Sequence, residues 1–104
     1  MLDIEIARAD SGASWRLTGE LTAAGASLLR RATAQIRDAT PITVDLSGVR
    51  TVDRPGLGAL VGMLLRARWS GAPVQLLAPA APLVRLLREE GLDRLARLAS
   101  GKAA

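Results

Sequence analysis

The residues of this chain that could do chemistry converge on one stretch, Asp45-Leu46-Ser47-Gly48-Val49-Arg50-Thr51-Val52-Asp53-Arg54-Pro55-Gly56-Leu57-Gly58. Two aspartates in so short a span invite an acid/base or metal reading, which needs further carboxylates converging on the same point. None stands nearby in the sequence. Glycines ahead of a helix invite a phosphate-cradle reading, because exposed N–H groups at a helix N-terminus favour an anion. Gly56 and Gly58 do not match the spacing of the nucleotide-binding glycine loops, and no lysine accompanies them. The simplest use of these residues is local. Asp53 caps a helix, Pro55 occupies its first turn without leaving an N–H unsatisfied, and Gly56 and Gly58 permit close backbone approach.

The rest of the composition narrows the chemistry further. Histidine and cysteine are both absent. That removes the usual general base, thiolate nucleophiles, disulfides and the commonest metal ligands. No catalytic residue, metal site or cofactor is expected. The chain has 104 residues, 49% hydrophobic and 23% charged, which suits one folded domain; residues 1–99 are expected to form it and 100–104 a flexible tail. Aromatic residues are Trp15 and Trp69 alone, so aliphatic side chains fill the core and both tryptophans are expected to pack in it or at its rim. Net charge is +4 and almost all of the positive charge is arginine. These arginines are scattered along the sequence with no basic run, so they read as a solvated face and nucleic acid is not an expected partner. The N-terminus lacks the basic start and long apolar run of a signal peptide, and the apolar stretch Leu57–Leu65 is too short to span a bilayer. A cytoplasmic setting without direct membrane insertion is expected.

The elements that must position the junction can be read from periodicity. Leu2, Ile4 and Ile6 alternate with acids, giving a half-buried strand. After a turn at Asp10–Gly12, Trp15 and Leu17 mark a second strand antiparallel to the first, ended by Gly19. Residues Thr22 to Asp38 are rich in helix formers, with Thr22 as N-cap and Leu28, Leu29, Ala32 and Ile36 on one face. Ile42, Val44 and Leu46 alternate as a third strand, followed by a loop. Leu57, Leu60, Val61, Leu64 and Leu65 show the clearest helical spacing in the chain. Residues 74–78 form a short buried strand, and Leu83, Leu86 and Leu87 mark a helix after Pro82, stopped by Gly91. Leu92, Leu95 and Leu98 suit either a short helix or a last strand. The expected fold class is α/β: a small mixed sheet of four or five strands covered by about four helices, with parallel crossovers from residue 42 onward.

Three motifs in this order resemble the STAS domain, the fold shared by anti-sigma factor antagonists and the tails of sulfate transporters. Leu17-Thr18-Gly19-Glu20-Leu21 is similar to the family's L-x-G-E-L-D. Val44-Asp45-Leu46-Ser47-Gly48-Val49 is similar to D-L-S-G-V, and Asp53-Arg54-Pro55-Gly56-Leu57-Gly58 to D-S-S-G-L-G. Residues 82–92 resemble the helix that ends the pattern. The resemblance implies a non-catalytic binding module that docks on an anti-sigma factor, usually a serine kinase, with Glu20, Thr22, Asp53, Arg54, Pro55, Gly56, Leu57 and Gly58 at the docking surface. It also implies regulation by phosphorylation of the serine before the glycine. Here that position is Pro55, the neighbouring serine is Arg54, and the aspartate after G-E-L is Thr22. The scaffold is present while the phosphoacceptor is lost, and Arg54 directs the surface toward an acidic partner. The alternative the resemblance offers is a small subunit that binds the ATPase of a bacterial lipid-transporting ABC system and needs no phosphorylated serine. A homodimer is compatible with either.

Overall fold

The computed structural model describes residues 1–77 and 79–99 and contains one five-stranded sheet, in the order β1-β2-β3-β4-β5. β1 (Leu2–Ala9) and β2 (Gly12–Leu21) form an antiparallel hairpin. β3 (Ile42–Val52), β4 (Val74–Leu77) and β5 (Arg97–Ala99) then add in parallel, one after another. The crossovers are α1 (Ala23–Thr33), α2 (Arg54–Trp69) and α3 (Ala81–Glu89). Each crossover advances by one strand in the same direction. Right-handed connections of that kind put all the helices on one face.

Burial along the strands shows that one-sidedness. Ala13, Trp15 and Leu17 of β2, Ile42, Val44 and Leu46 of β3, and Val74 and Leu76 of β4 are buried. They share one core with Leu29 of α1, Leu60, Met63 and Leu64 of α2, and Leu83 and Leu87 of α3. The intervening strand residues form an open polar face. One rung of it carries Glu5, Arg16 and Asp45 side by side, with ion-pair distances of 4.0 and 3.9 Å. Such long, solvated pairs contribute little stability.

The structure differs from the sequence expectations in several places. β2 does not stop at Gly19 but continues to Leu21, and β3 runs on to Val52 instead of giving way to a loop. The cause is a pair of irregularities in their pairing. Arg16 pairs with Asp45 but Thr18 with Gly48, and Gly19 pairs with Val49 but Glu20 with Thr51, so β3 carries an extra residue at each step. A bulge shifts the side-chain alternation, which hides the continuing strand from a period-two reading. At the first bulge the Ser47 N–H donates to Asp45 Oδ1 at 2.9 Å. That bond holds the Asp45 carboxyl below its usual pKa.

α1 ends at Thr33, short of the expected Asp38. The Ala34, Gln35 and Ile36 N–H groups bond to carbonyls three residues back, tightening the chain out of the α-helical form. Leu28 does not share the buried face of Leu29; it is 41% exposed and lines a groove with Ile4 and Ile6 of β1. α3 stops before Gly91, whose φ of +73° suits a helix C-terminus. Of the two options for residues 92–98, the chain uses both: a 3-10 turn over Leu92–Arg94, then β5. Among the described residues the helical layer is therefore three α-helices and one 3-10 turn. Trp15 is 2% exposed at the centre of the core, as expected, whereas Trp69 is 89% exposed and packs in no core at all. Of the fourth strand, Ala78 lies outside the described residues, as does the proposed tail, 100–104.

Candidate docking corner

α1 follows the C-terminal end of β2, and α2 follows the C-terminal end of β3. Both helix N-termini therefore meet above the same edge of the sheet, the edge where α/β proteins place their sites. Only Thr22 separates β2 from α1, and only Asp53 separates β3 from α2. The Asp53 N–H donates to the Leu21 carbonyl at 3.2 Å, tying the two junctions together.

Asp53 does more than cap its own helix. Its Oδ1 accepts from the Gly56 N–H at 2.8 Å, and its Oδ2 accepts from the Ala23 N–H at 3.2 Å. One carboxylate thus serves the first turns of both helices. Thr22 sits at the N-cap position of α1 as expected, but its side chain makes no capping bond. The second bond of Asp53 spans 30 residues and has no local sequence signal. It could be foreseen only by knowing that both helices start at the same sheet edge.

Gly56 explains how α2 comes so close to β2. A Cβ there would lie 1.7 Å from the Leu21 carbonyl oxygen. The residue is buried, so it sets the approach of helix and strand and offers no contact surface itself. Around it Arg54, Pro55 and Gly58 are exposed and Leu57 is half-buried. Gly58 has nothing within 4 Å of where its Cβ would be. Glu20 stands at the same edge on β2, beside Thr51 of β3. Its carboxylate accepts from the N-terminal ammonium at 2.6 Å and from Arg50 Nη2 at 2.5 Å. The ammonium bond foremost, then the Arg50 bond, holds the Glu20 carboxyl below its usual pKa. Its charge is balanced within the molecule.

The chemistry open to this corner is limited. Both Asp53 oxygens are engaged by backbone N–H groups of the two helix starts. The anion-favouring N-terminus of α2 is occupied by the protein's own carboxylate, and Pro55 supplies no N–H. Among the described residues no group of three His, Cys, Asp or Glu side chains could hold a metal ion. Pro55 has no hydroxyl; the nearest in sequence is that of Thr51, exposed at the end of β3, and half-buried Thr22 stands at the neighbouring start of α1. The corner is a fixed, solvent-facing shape with Arg54, which forms no ion pair among the described residues, at its tip. The charge behind it is one-sided as well. α1 and α2 carry Arg30, Arg31, Arg54, Arg66 and Arg68 and no acidic residue.

Comparison with known proteins gives this arrangement its relatives. The family described as "Mlab, STAS domain" matches residues 4–98. No curated protein matches the chain. Several solved structures share the fold. A protein from Thermotoga maritima described as an anti-sigma factor antagonist superposes with a TM-score of 0.81 at 22% identity, covering 96% of this chain and 87% of that one. An anti-sigma factor antagonist from Mycobacterium paratuberculosis gives 0.78 at 22% identity, covering 94% and 85%. The Bacillus cell fate determinant SpoIIAA, in its phosphorylated form, gives 0.75 at 17% identity, covering 99% and 93%.

Proposed function

The chain belongs to the STAS domain family, and from that premise we propose that it is a non-catalytic regulatory binding module of the anti-sigma-factor-antagonist type whose docking corner carries no phosphate switch. The partner of this reading is an anti-sigma factor of the serine-kinase kind. The observation that carries it is the corner itself. Asp53 fixes the starts of α1 and α2 with one carboxylate, and Arg54, Pro55, Leu57 and Gly58 stand on the outer side of that clamp. A rigid, preorganised surface loses little entropy on docking. Thr22 and Glu20 flank it on the β2 side.

Where the family's pattern places its phosphorylated serine, this chain has Pro55, which accepts no phosphate. Arg54 adds a fixed positive charge at the point where a phosphorylated relative acquires a negative one. Binding is then constitutive, and the partner surface opposite Arg54 is acidic. The corner keeps the packing residues Asp53 and Gly56 while losing both hydroxyls, which is what a scaffold kept for docking alone requires.

A second reading has its own support. The matching family is described as Mlab and not as an antagonist, and the missing phosphoacceptor suits a subunit that stays attached to its partner. In that reading the partner is the ATPase of a bacterial lipid-transporting ABC system. Both readings use the same corner. Copurification from native cells followed by mass spectrometry separates them: a histidine-kinase-like ATPase supports the first, a transporter ATPase the second. Arg54→Glu is expected to release either partner. Capture that survives this change together with Leu57→Asp would remove the corner from both.

A further inference from the structure

The opposite end of α2 carries an exposed apolar pair that the docking corner does not use. Trp69, the last residue of the helix, is 89% exposed, and Leu65, one turn earlier, is 43% exposed. Residues four apart lie on one line of a helix, and this line faces away from the buried Leu60, Met63, Leu64 and Ala67. The helix end does not need the indole, because the Ser70 N–H closes the last turn on the Arg66 carbonyl at 3.0 Å.

Arginines that are scattered in sequence lie at the same end of the molecule as this pair. α1 and α2 both run back against the parallel strands, so their C-termini lie at the same end of the molecule. Arg30 and Arg31 close α1, Arg66 and Arg68 close α2, and Arg37 follows α1. Arg66 Nε donates to the Ile36 carbonyl at 2.8 Å and ties the two helix ends together. Among the described residues the ion pairs fall on Arg16, Arg50 and the N-terminus, and on none of these five. The acids at this end are Asp10, in the β1–β2 turn; Asp38, whose carboxylate accepts from the Thr40 N–H and lies near Arg8; and Glu89, Glu90 and Asp93, which follow one another where α3 ends, beside Arg88 and Arg94. Cations at helix C-termini offset the helix dipole, which accounts for some of the arginines but not for a tryptophan held in water.

We propose that this end of the molecule rests on an anionic bilayer surface, with Trp69 and Leu65 entering the headgroup layer and the arginines facing lipid phosphates. Tryptophan favours that layer because its ring is apolar and its N–H is polar. The size of the patch selects a membrane over an acidic protein. A stable protein interface needs about 800 Å² from each partner around a packed apolar centre. One indole and one leucine do not supply that centre. A reversible membrane contact needs only a few interfacial side chains beside a basic cluster. The contact is peripheral: no helix among the described residues is long and apolar enough to cross a membrane. It lies at the other end of α2 from the docking corner, so it stands or falls independently of the partner reading.

The two tryptophans make the test direct. Trp15 is buried and gives a constant emission, so any spectral shift reports Trp69. The intact protein is titrated at low salt with vesicles of equimolar phosphatidylglycerol and phosphatidylcholine, and with vesicles of phosphatidylcholine alone. Blue-shifted emission and cosedimentation with the anionic vesicles, both lost at high salt, are expected. Trp69→Ala is expected to lower cosedimentation roughly tenfold without changing the melting temperature. The double variant Arg30→Glu, Arg68→Glu is expected to abolish it while folding normally. Absence of a shift on anionic vesicles, an equal shift on neutral ones, or full binding by the double variant would overturn the proposal. So would a shift produced by a polyglutamate peptide but by neither vesicle, which would assign the surface to an acidic protein.

Discussion

The two ends of α2 are built on opposite principles. At its N-terminus the backbone is held from several sides: Asp53 takes two backbone N–H groups, Gly56 lies against the Leu21 carbonyl, and the Asp53 N–H closes the junction. At its C-terminus the helix ends on a tryptophan that touches solvent over most of its surface. The lesson of the contrast is that exposure has two meanings. Arg54 and Pro55 are exposed because the clamp beneath them holds them out, whereas Trp69 is exposed because nothing among the described residues covers it. The first end therefore answers to mutation through stability as well as binding, and the second through binding alone.

The largest effect that can break this contrast is expected at Gly56. Gly56→Ala puts a methyl group into the Leu21 carbonyl, and α2 must move off β2. A loss of about 3 kcal/mol or more in urea unfolding is expected. A loss under about 1 kcal/mol would mean that the close approach is not needed. Asp53→Ala comes next. It strips a cap from two helices at once, so about 2 kcal/mol is expected, against a few tenths for Thr22→Ala, whose side chain makes no capping bond. If the two variants melt alike, the double cap has no energetic weight. At the other end, Trp69→Ala is expected to leave stability unchanged within about 0.5 kcal/mol.

The smallest effect concerns pH. The Asp45 carboxyl is held low in the folded state, first by its bond from Ser47. Its stabilisation is therefore fully present above the unfolded-state pKa of aspartate and is lost as pH falls through the lower folded value. The Glu20 carboxyl follows the same sign. The stability difference between the wild type and Asp45→Asn is expected to shrink as pH falls through that acid range and to stay constant above it. A difference that grows on acidification would contradict the assignment.

Much of this was legible in the sequence, for reasons tied to particular residues. The Leu57–Leu65 spacing located α2, the alternation Leu2-Ile4-Ile6 located β1, and Asp53 before Pro55 located the start of α2. Each signal is local, and local periodicity survives folding. What was not legible depends on neighbours distant in sequence. The bulges of β3 arise from its pairing with β2, so Leu46 to Val49 read as the end of a strand. The bond from Ala23 to Asp53 exists only because two helices begin above one sheet edge. Trp69 reads in the sequence as core or rim packing, because a tryptophan at the end of an apolar helix usually packs; the burial of Leu60, Met63, Leu64 and Ala67 puts it on the other side of α2. The arginines of α1 and α2 looked dispersed for the same reason. Only the shared direction of the two helices gathers them at one end.

The measurement closest to the central claim is the affinity of the purified chain for the ATPase that copurifies with it, taken by titration calorimetry before and after incubation with ATP and with intact-mass analysis of both samples. Unchanged mass and unchanged affinity are expected, together with about tenfold or greater weakening in Arg54→Glu. Stoichiometric phosphate on Thr22 or Thr51 accompanied by loss of binding would contradict it, because the corner would then carry a switch after all.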